Sequence, residues 1–254
     1  MIKIKKNSTI QEAFNVAFEN HKKNKLDVAE KLYINILEKD SNHFQTIFYL
    51  SSLLLQLKKF DKAKIFLKKA LIIQPENVDV NNALGLIFRE SKNYDKSINY
   101  FKKCIQINPN YSTARNNLGL IFNTLKRHKE AINCFEEAIQ IDKNCIPAYN
   151  NLGITYQELG DTNKAMNCYE KVIQIDPNNL GVNYNFALLL GKLKKFNKAI
   201  ECYKKAIKIN SNFKDSYTGY GNMLLLINQH KKGLFNIKKG CGFIRFNQNK
   251  FSII

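Results

Sequence analysis

Small residues recur along this chain at a constant interval of 34 positions. Hydrophobic residues accompany them at helical spacing, as Leu84 and Phe88 do around Gly85, and the same arrangement recurs around Gly119. Because positions three and four residues apart lie on one side of an α-helix, each interval predicts a helix with one apolar stripe that contains a small residue. The series of small residues is Ala17, Ser51, Gly85, Gly119, Gly153, Ala187 and Gly221.

Two further series predict a second helix in every interval. One series is small, and the other, four residues later, is aromatic or aliphatic. A small residue lets two helices approach closely and a large one fills the space beside it, so the pattern predicts packed helical hairpins. The small series is Ala29, Ala63, Ser97, Ala131, Ala165 and Ala199, and it breaks at Gly233; the large series is Tyr33, Leu67, Phe101, Phe135, Tyr169, Tyr203 and Ile237.

Prolines and short polar residues predict where these helices begin and end. Pro75, Pro109 and Pro177 share one position of the repeat and cannot continue the preceding helix, so they predict the boundary between hairpins. Side chains that accept a hydrogen bond from a free backbone amide are typical of helix N-termini. Four of them are predicted to cap second helices: Asp61, Asp95, Asn163 and Asn197.

These repeats, most clearly in the stretch 116–175, resemble the tetratricopeptide repeat family. They carry its small residue in the first helix, alanine and an aromatic in the second, and proline at the boundary, while its tryptophan at the fourth position is absent throughout. The resemblance implies an all-α, right-handed α-solenoid superhelix of 34-residue helix–turn–helix repeats that binds proteins. Six repeats are predicted at 10–43, 44–77, 78–111, 112–145, 146–179 and 180–213, with a degenerate seventh at 214–247 that loses the pattern at Gly233.

Positive charge is concentrated toward the two ends of the chain. The 254 residues include 40 Lys and Arg against 21 Asp and Glu, a net charge of +19. We expect a basic extension at 1–9, the repeat array at 10–239, and a basic, aromatic tail at 240–254 that folds back over the last hairpin or contacts a partner. Such an excess is also typical of proteins that bind nucleic acid or anionic surfaces, and this remains the alternative function.

No catalytic or metal-binding pattern stands out in the sequence. The four histidines occupy four different positions of the repeat, and the six cysteines include no CxxC pair. We therefore predict that the chain is not an enzyme and needs no cofactor or metal. It could still recruit substrates for a catalytic subunit on another chain. Six cysteines without a CxxC pair in a chain of this length, and apolar runs far shorter than about 20 residues, favour a cytoplasmic protein without a membrane span.

A row of asparagines is the strongest candidate for a binding site. Asn117, Asn151 and Asn185 share one position on three consecutive first helices, which line the concave groove of such arrays. A side-chain amide both donates and accepts, so amides at a regular rise can bind the backbone of an extended peptide. The row resembles the asparagine ladder in the repeat arm of the O-linked N-acetylglucosamine transferase. Its predicted polar and aromatic neighbours are Asn116, Asn150, Asn123, Gln157 and Tyr184.

The predicted partner is a protein or peptide segment in an extended conformation. Exposed asparagines contribute little to the stability of a fold and are poor helix formers. Replacing the three ladder residues by alanine is therefore expected to leave stability unchanged or slightly raised.

Overall fold

The computed structural model describes residues 9–242, and this part of the chain is built from α-helices alone. Odd-numbered helices are the first helices of the predicted repeats and even-numbered helices are the second, so the all-α hairpin architecture is confirmed. The helices are α1 (Ile10–Lys22), α2 (Leu26–Lys39), α3 (Phe44–Gln56), α4 (Phe60–Ile73), α5 (Val78–Glu90), α6 (Tyr94–Ile107), α7 (Ser112–Thr124), α8 (His128–Ile141), α9 (Ile146–Glu158), α10 (Thr162–Ile175), α11 (Leu180–Lys192), α12 (Phe196–Ile209), α13 (Lys214–Leu226) and α14 (His230–Cys241).

The chain divides within α7 into two compact units, Met1–Ile121 and Phe122–Ile254, which we call the N-terminal and C-terminal units. Each unit has its own core, and both cores are formed by the repeated small and large residues. The large residues are almost completely buried, as predicted: Tyr33, Leu67 and Phe101 in the N-terminal unit, and Phe135, Tyr169, Tyr203 and Ile237 in the C-terminal unit.

Close packing within a hairpin depends on the small residue of its first helix. A Cβ atom at Gly85 would lie 2.7 Å from the Cε1 atom of Phe101, and a Cβ atom at Gly153 would lie 2.7 Å from the Cε1 atom of Tyr169. Carbon atoms normally meet at about 3.5–4 Å, so in both hairpins the ring occupies the space that a side chain would fill. The Ser97 hydroxyl also donates to the Gly85 carbonyl oxygen at 2.6 Å. The predicted pairing of small and large residues is confirmed.

Every hairpin turns through a residue in the left-handed conformation. In repeat 44–77 the backbone N–H of Lys58 donates to the carbonyl oxygen of Leu55, and that of Lys59 donates to the carbonyl oxygen of Leu54. These two bonds form a Schellman motif, which satisfies the last carbonyl groups of a helix. The fifteenth position of each repeat has a φ between 56° and 80°: Asn24, Lys58, Lys92, Lys126, Gly160, Lys194 and Asn228.

The predicted caps of the second helices are wrong by two residues. Asp95 lies inside α6, and the cap is Asn93, whose side chain accepts a hydrogen bond from the backbone N–H of Lys96 at 3.3 Å. The Schellman turn is only a few residues long, and the second helix begins immediately after it. The polar residue that the sequence predicts as the cap therefore lies inside the helix. The other three predicted caps also lie at the second residue of their helices: Asp61, Asn163 and Asn197.

Asparagine replaces the family's tryptophan in two repeats and fixes the turn that precedes the first helix. The Nδ2 atom of Asn81 donates to the carbonyl oxygens of Asn77 at 2.8 Å and of Pro75 at 3.3 Å. Asn183 makes the equivalent two bonds, one of them to Pro177 at 3.1 Å. Both prolines lie in turns between hairpins, as predicted. The asparagine side chain is too small to fill the volume of a tryptophan, but it satisfies the carbonyl group of the proline.

Gly233 does not interrupt the seventh hairpin. Helix α14 continues through Gly233 and Gly240 to Cys241, so the loss of the sequence pattern at Gly233 is not a loss of the hairpin. A Cβ atom at Gly221 would lie 2.7 Å from the carbonyl oxygen of Gly233, and one at Gly240 would lie 2.8 Å from the carbonyl oxygen of Lys214. Glycine therefore lets α13 and α14 approach closely. Residues 1–8 and 243–254, with most of the predicted extension and tail, lie outside the described residues.

Candidate peptide-binding surface

Two of the predicted ladder asparagines make the same contact, one in each unit. In the N-terminal unit the Nδ2 atom of Asn117 donates to the Oδ1 atom of Asn82 at 3.2 Å. In the C-terminal unit the Nδ2 atom of Asn185 donates to the Oδ1 atom of Asn150, also at 3.2 Å. The donor lies 35 residues after the acceptor in both cases, so a side-chain bond joins neighbouring first helices. We call these two contacts the amide pairs.

The ladder residues are less exposed than the sequence suggests. Asn116 and Asn117 are each only 7% exposed, whereas Asn150, Asn151 and Asn185 are half-buried. An amide at this position is part of the packing between repeats, because the neighbouring first helix lies within hydrogen-bond distance of it. The expectation that the ladder residues are exposed surface groups is therefore wrong for Asn117.

The amide pair of the C-terminal unit is expected to stabilise the contact between its repeats. In a double-mutant cycle of Asn150→Ala and Asn185→Ala, measured by chemical denaturation, the coupling free energy should be about 0.5–1.5 kcal/mol, the usual contribution of one hydrogen bond. Asn133 and Asn167 are exposed on second helices and serve as the control pair, for which additive effects are expected. Additive effects for Asn150 and Asn185 would mean that their bond contributes nothing to stability.

Two further predicted site residues are oriented by the second helix of their own hairpin. The Oδ1 atom of Asn123 lies 2.9 Å from the Nδ1 atom of His128. The Oε1 atom of Gln157 accepts a hydrogen bond from the Tyr169 hydroxyl at 3.3 Å. Both amides are half-buried, and these contacts already use part of their hydrogen-bonding capacity.

Apolar side chains follow the asparagines along the first helices of the C-terminal unit. Residues four positions apart lie on the same side of a helix, so Ile154 follows Asn150 and Leu188 follows Tyr184. Ile154 is half-buried and Leu188 is 36% exposed. The Tyr184 ring packs edge-on against Phe213, with the ring centroids 5.1 Å apart. We use the term first-helix surface for the side chains of Asn150, Ile154, Tyr184, Asn185 and Leu188.

Aromatic residues stand at the fifth position of the first two repeats, Phe14 and Phe48, and Tyr49 stands at the sixth position of the second, whereas Asn15 keeps an amide at the sixth position of the first. The rings of Phe18 and Tyr49 meet edge-on with centroids 4.7 Å apart, and Phe48 contacts Tyr49 at 5.5 Å. Phe18 and Tyr49 also line a shallow depression together with His21 and Gln56. Partial burial lowers the pKa of His21, so its imidazole is neutral at neutral pH. This aromatic cluster is not among the predicted site residues, although its signal is visible in the sequence as aromatics at the fifth and sixth positions of repeat 44–77.

We searched the described residues for metal-binding clusters, reactive cysteines and membrane-spanning helices. Residues 9–242 contain no group of three or more metal-binding side chains. Burial raises the pKa of Cys104 to about 12 and that of Cys168 to about 11, so these thiols are protonated at neutral pH and are poor nucleophiles. None of the helices within the same range has the length and apolar composition needed to span a lipid bilayer.

Sequence models of the tetratricopeptide repeat match residues 45–77, 76–144, 146–179 and 184–213, which together make up more than half of the chain. The chain belongs to the tetratricopeptide repeat family, as its repeat pattern predicts. Proteins of this family generally act as protein-interaction scaffolds. A sequence model of anaphase-promoting complex subunit 5 also matches residues 5–41. No curated protein sequence matches the chain.

Solved structures share the fold at low sequence identity. A tetratricopeptide repeat protein from Parabacteroides merdae has 16% identity and a TM-score of 0.71, over 94% of each chain. The pilF protein of Pseudomonas aeruginosa has 21% identity and a TM-score of 0.69, over 78% of this chain and 90% of its own. A chain of the APC/C hetero-tetramer Cut9–Hcn1 has 16% identity and a TM-score of 0.75, over 87% of this chain and 44% of its own.

Proposed function

We propose that this chain is a non-catalytic interaction scaffold whose first-helix surface binds an extended segment of another protein. The observation that carries the proposal is the recurrence of the amide pair, at the same distance and the same 35-residue offset, in two separate units. An amide has two donor hydrogens and two acceptor lone pairs, and the pair uses one of each kind. The remaining capacity suits the backbone N–H and carbonyl groups of a ligand.

The apolar part of the first-helix surface complements the amides. Ile154 and Leu188 lie one helical turn from Asn150 and Tyr184, so a chain bound by the amides would place its side chains against aliphatic surface. Backbone recognition by amides gives affinity with little sequence preference, and the apolar residues add a preference for aliphatic side chains. The proposed ligand is therefore an extended peptide with interspersed aliphatic residues.

A cytoplasmic location is part of the same proposal. Cys134, Cys168 and Cys202 share one repeat position and are buried in the hairpin packing, with no disulfide at Cys168 or Cys202. Cysteines used as small packing residues are typical of reducing compartments, where thiols are not oxidised to disulfides.

Peptide binding is tested by selecting ligands from a random peptide library on the full chain and measuring their affinities by calorimetry. The variant Asn150→Ala, Asn185→Ala, Leu188→Ala removes two amides and one aliphatic contact. We expect it to weaken the selected peptides by roughly ten- to a thousandfold, because each of the two lost hydrogen bonds costs about 0.5–1.5 kcal/mol and the lost apolar contact of Leu188 adds about 1 kcal/mol. Thermal melts of the same variant show whether it is folded.

The control variant Asn133→Ala, Asn167→Ala changes exposed asparagines on second helices and should leave the affinities unchanged. Affinities that the first-helix variant does not alter, in a folded protein, would contradict the proposal. Binding of nucleic acid that weakens by orders of magnitude between low and physiological salt would instead favour the alternative of a phosphate-binding protein.

A further inference from the structure

Two isoleucines on the outer side of α4 are not used by the packing of the N-terminal unit. Ile65 is 68% exposed and Ile72 is 81% exposed. Seven residues separate them, which is two helical turns or about 10.5 Å along the same side of the helix. Water-exposed aliphatic side chains in register on a helix are a known feature of surfaces that bind another protein.

The equivalent positions of the other second helices show that the fold does not require isoleucine there. Among the described residues, only α4 has hydrophobic side chains at both positions. The residues equivalent to Ile65 are Lys31, Asn99, Asn133, Asn167, Glu201 and Phe235, and those equivalent to Ile72 are Glu38, Gln106, Gln140, Gln174, Lys208 and Gly242. All of them are exposed, so polar side chains satisfy this face of a second helix in most repeats.

A cleft between α2 and α4 extends the apolar surface from Ile65. Ile34 and Phe66 line its sides, and Leu50 and Leu54 of α3 form its floor. The equivalent cleft between α10 and α12 of the C-terminal unit has glutamates, Glu170 and Glu201, at the positions of Ile34 and Ile65. We use the term α4 patch for the side chains of Ile34, Ile65, Phe66 and Ile72.

Lysines border the α4 patch on both sides. At 100° per residue, Lys68 lies on one side of the line from Ile65 to Ile72, and Lys62 and Lys69 lie on the other. Lys62 and Lys68 are exposed and Lys69 is half-buried. Acidic side chains also stand beside the patch: Asp61 lies in the first turn of α4, on the same side as Lys68, and Glu30 of α2 lines the cleft. The Glu30 carboxylate is already paired with the Lys59 ammonium at 2.8 Å, so the charge that remains along the border is mainly positive.

We propose that the α4 patch binds an acidic amphipathic helix of a partner protein. Aliphatic side chains of the ligand, spaced by two helical turns, would contact Ile65 and Ile72 and enter the cleft beside them. Carboxylates on both sides of its apolar stripe would pair with the bordering lysines. This site lies on second helices, so it does not depend on the peptide-binding role of the first-helix surface.

Charge disfavours the other occupants that the chain itself could supply. A symmetric contact of α4 with α4 in a second copy would bring lysines against lysines, which is unfavourable in a self-complementary interface. Residues 1–8 and 243–254 contain Lys and Arg but neither Asp nor Glu, so they have no acidic side chains to place beside the lysines. Aliphatic side chains gain nothing from the phosphates of a nucleic acid, so a partner that is both acidic and apolar fits the surface best.

The test uses the full chain and a designed, fluorescently labelled helical peptide, with leucine along one side and glutamate on both flanks. A second peptide carries lysine in place of every glutamate. We expect saturable binding of the acidic peptide by fluorescence anisotropy, and binding of the lysine peptide weaker by at least about tenfold. The variant Ile65→Asn, Ile72→Gln should weaken the acidic peptide by at least about tenfold. It should also fold normally, since Asn and Gln occupy both equivalent positions in three other repeats.

A charge-reversal variant, Lys68→Glu, Lys69→Glu, tests the border separately. Glu136 and Glu137 occupy the same positions in repeat 112–145, so the fold accommodates the change. This variant should bind the lysine peptide more tightly than the acidic one. The first-helix variant with alanine at 150, 185 and 188 should bind the acidic peptide as the original chain does, which separates this proposal from the preceding one.

The first four of five results that would overturn the assignment of the α4 patch concern the peptides and self-association. They are the absence of saturable binding of the acidic peptide, equal binding of the two peptides, unchanged binding by the Ile65→Asn, Ile72→Gln variant, and self-association of the chain that disappears in that variant. The last result, measured by sedimentation, would make a second copy the occupant. A labelled oligonucleotide that binds the original chain and is released by the charge-reversal variant alone would make the surface a phosphate site.

Discussion

Replacing Gly153 by leucine is expected to lower the free energy of unfolding by about 3 kcal/mol or more, because the site has no room for a side chain. A Cβ atom alone would lie 2.7 Å from the Cε1 atom and 3.0 Å from the Cδ1 atom of Tyr169. The Tyr169 ring is completely buried and packs against Phe186 with centroids 6.0 Å apart, so it cannot move aside. Chemical denaturation of the full chain measures the effect.

Substitutions that copy the residues of other repeats provide the controls for this prediction. Repeats 10–43 and 180–213 combine alanine with tyrosine at the equivalent positions, so Gly153→Ala should cost no more than about 1 kcal/mol. Repeat 44–77 combines Ser51 with Leu67, and the double variant Gly153→Ser, Tyr169→Leu should be more stable than the sum of its single variants predicts. If Gly153→Leu is as stable as the original chain, the hairpin does not pack through this position.

The repeated fold could be predicted from sequence because it depends on side-chain volume at fixed intervals. Gly85 and Phe101 belong to two separate series in the sequence, and in the structure they are the two sides of one contact. Volume is a property of each residue type, and the 34-residue interval places equivalent volumes together without any knowledge of the neighbouring chain. The helical hairpins and their buried residues therefore agree with the prediction.

The hairpin turns could not be predicted in the same way. Lys58, Lys92, Lys126 and Lys194 adopt the left-handed conformation, for which glycine and asparagine give the usual sequence signal. The two hydrogen bonds of the Schellman motif and the packing of both helices hold the backbone there, whatever residue occupies the position. The wrong helix caps follow from the same cause, since the polar residues were assigned to a turn whose length was not known.

The amide pairs depend on how far neighbouring first helices are displaced along each other. The sequence shows that Asn117 and Asn185 share a position, but a displacement of one residue decides whether an amide meets the fifth or the sixth position of the preceding helix. Asn82, which accepts the hydrogen bond of Asn117, is not among the predicted site residues because its repeat has Ala83 at the ladder position. Hydrophobicity alone does not distinguish Ile65 and Ile72 from core residues, but the polar residues at the same positions of other repeats do indicate an exposed face.

Replacing Gly233 by alanine is expected to lower the free energy of unfolding by about 1–3 kcal/mol, although five of the six other repeats have alanine at this position. Helix propensity alone favours alanine over glycine inside α14 by about 1 kcal/mol. A Cβ atom at Gly233, however, would lie 2.7 Å from the Cδ2 atom of Leu225 and 2.9 Å from the carbonyl oxygen of Gly221. The leucine side chain can rotate, but the carbonyl group belongs to the backbone of α13, so the two helices must separate.

Gly181 in α11 is the matched control, since its nearest atom outside the helix backbone is the Oδ1 atom of Asn179, at 3.7 Å from a Cβ atom. Gly181→Ala should therefore leave stability unchanged or raise it by about 0.5–1 kcal/mol. Both substitutions add the same methyl group to a helix of the C-terminal unit. If Gly233→Ala lowers the denaturation midpoint and Gly181→Ala does not, the difference comes from the close approach of α13 and α14 and not from helix propensity. A stabilising Gly233→Ala would mean that these two helices are held no closer than those of the other hairpins, and that the glycine at this position is not required by the packing.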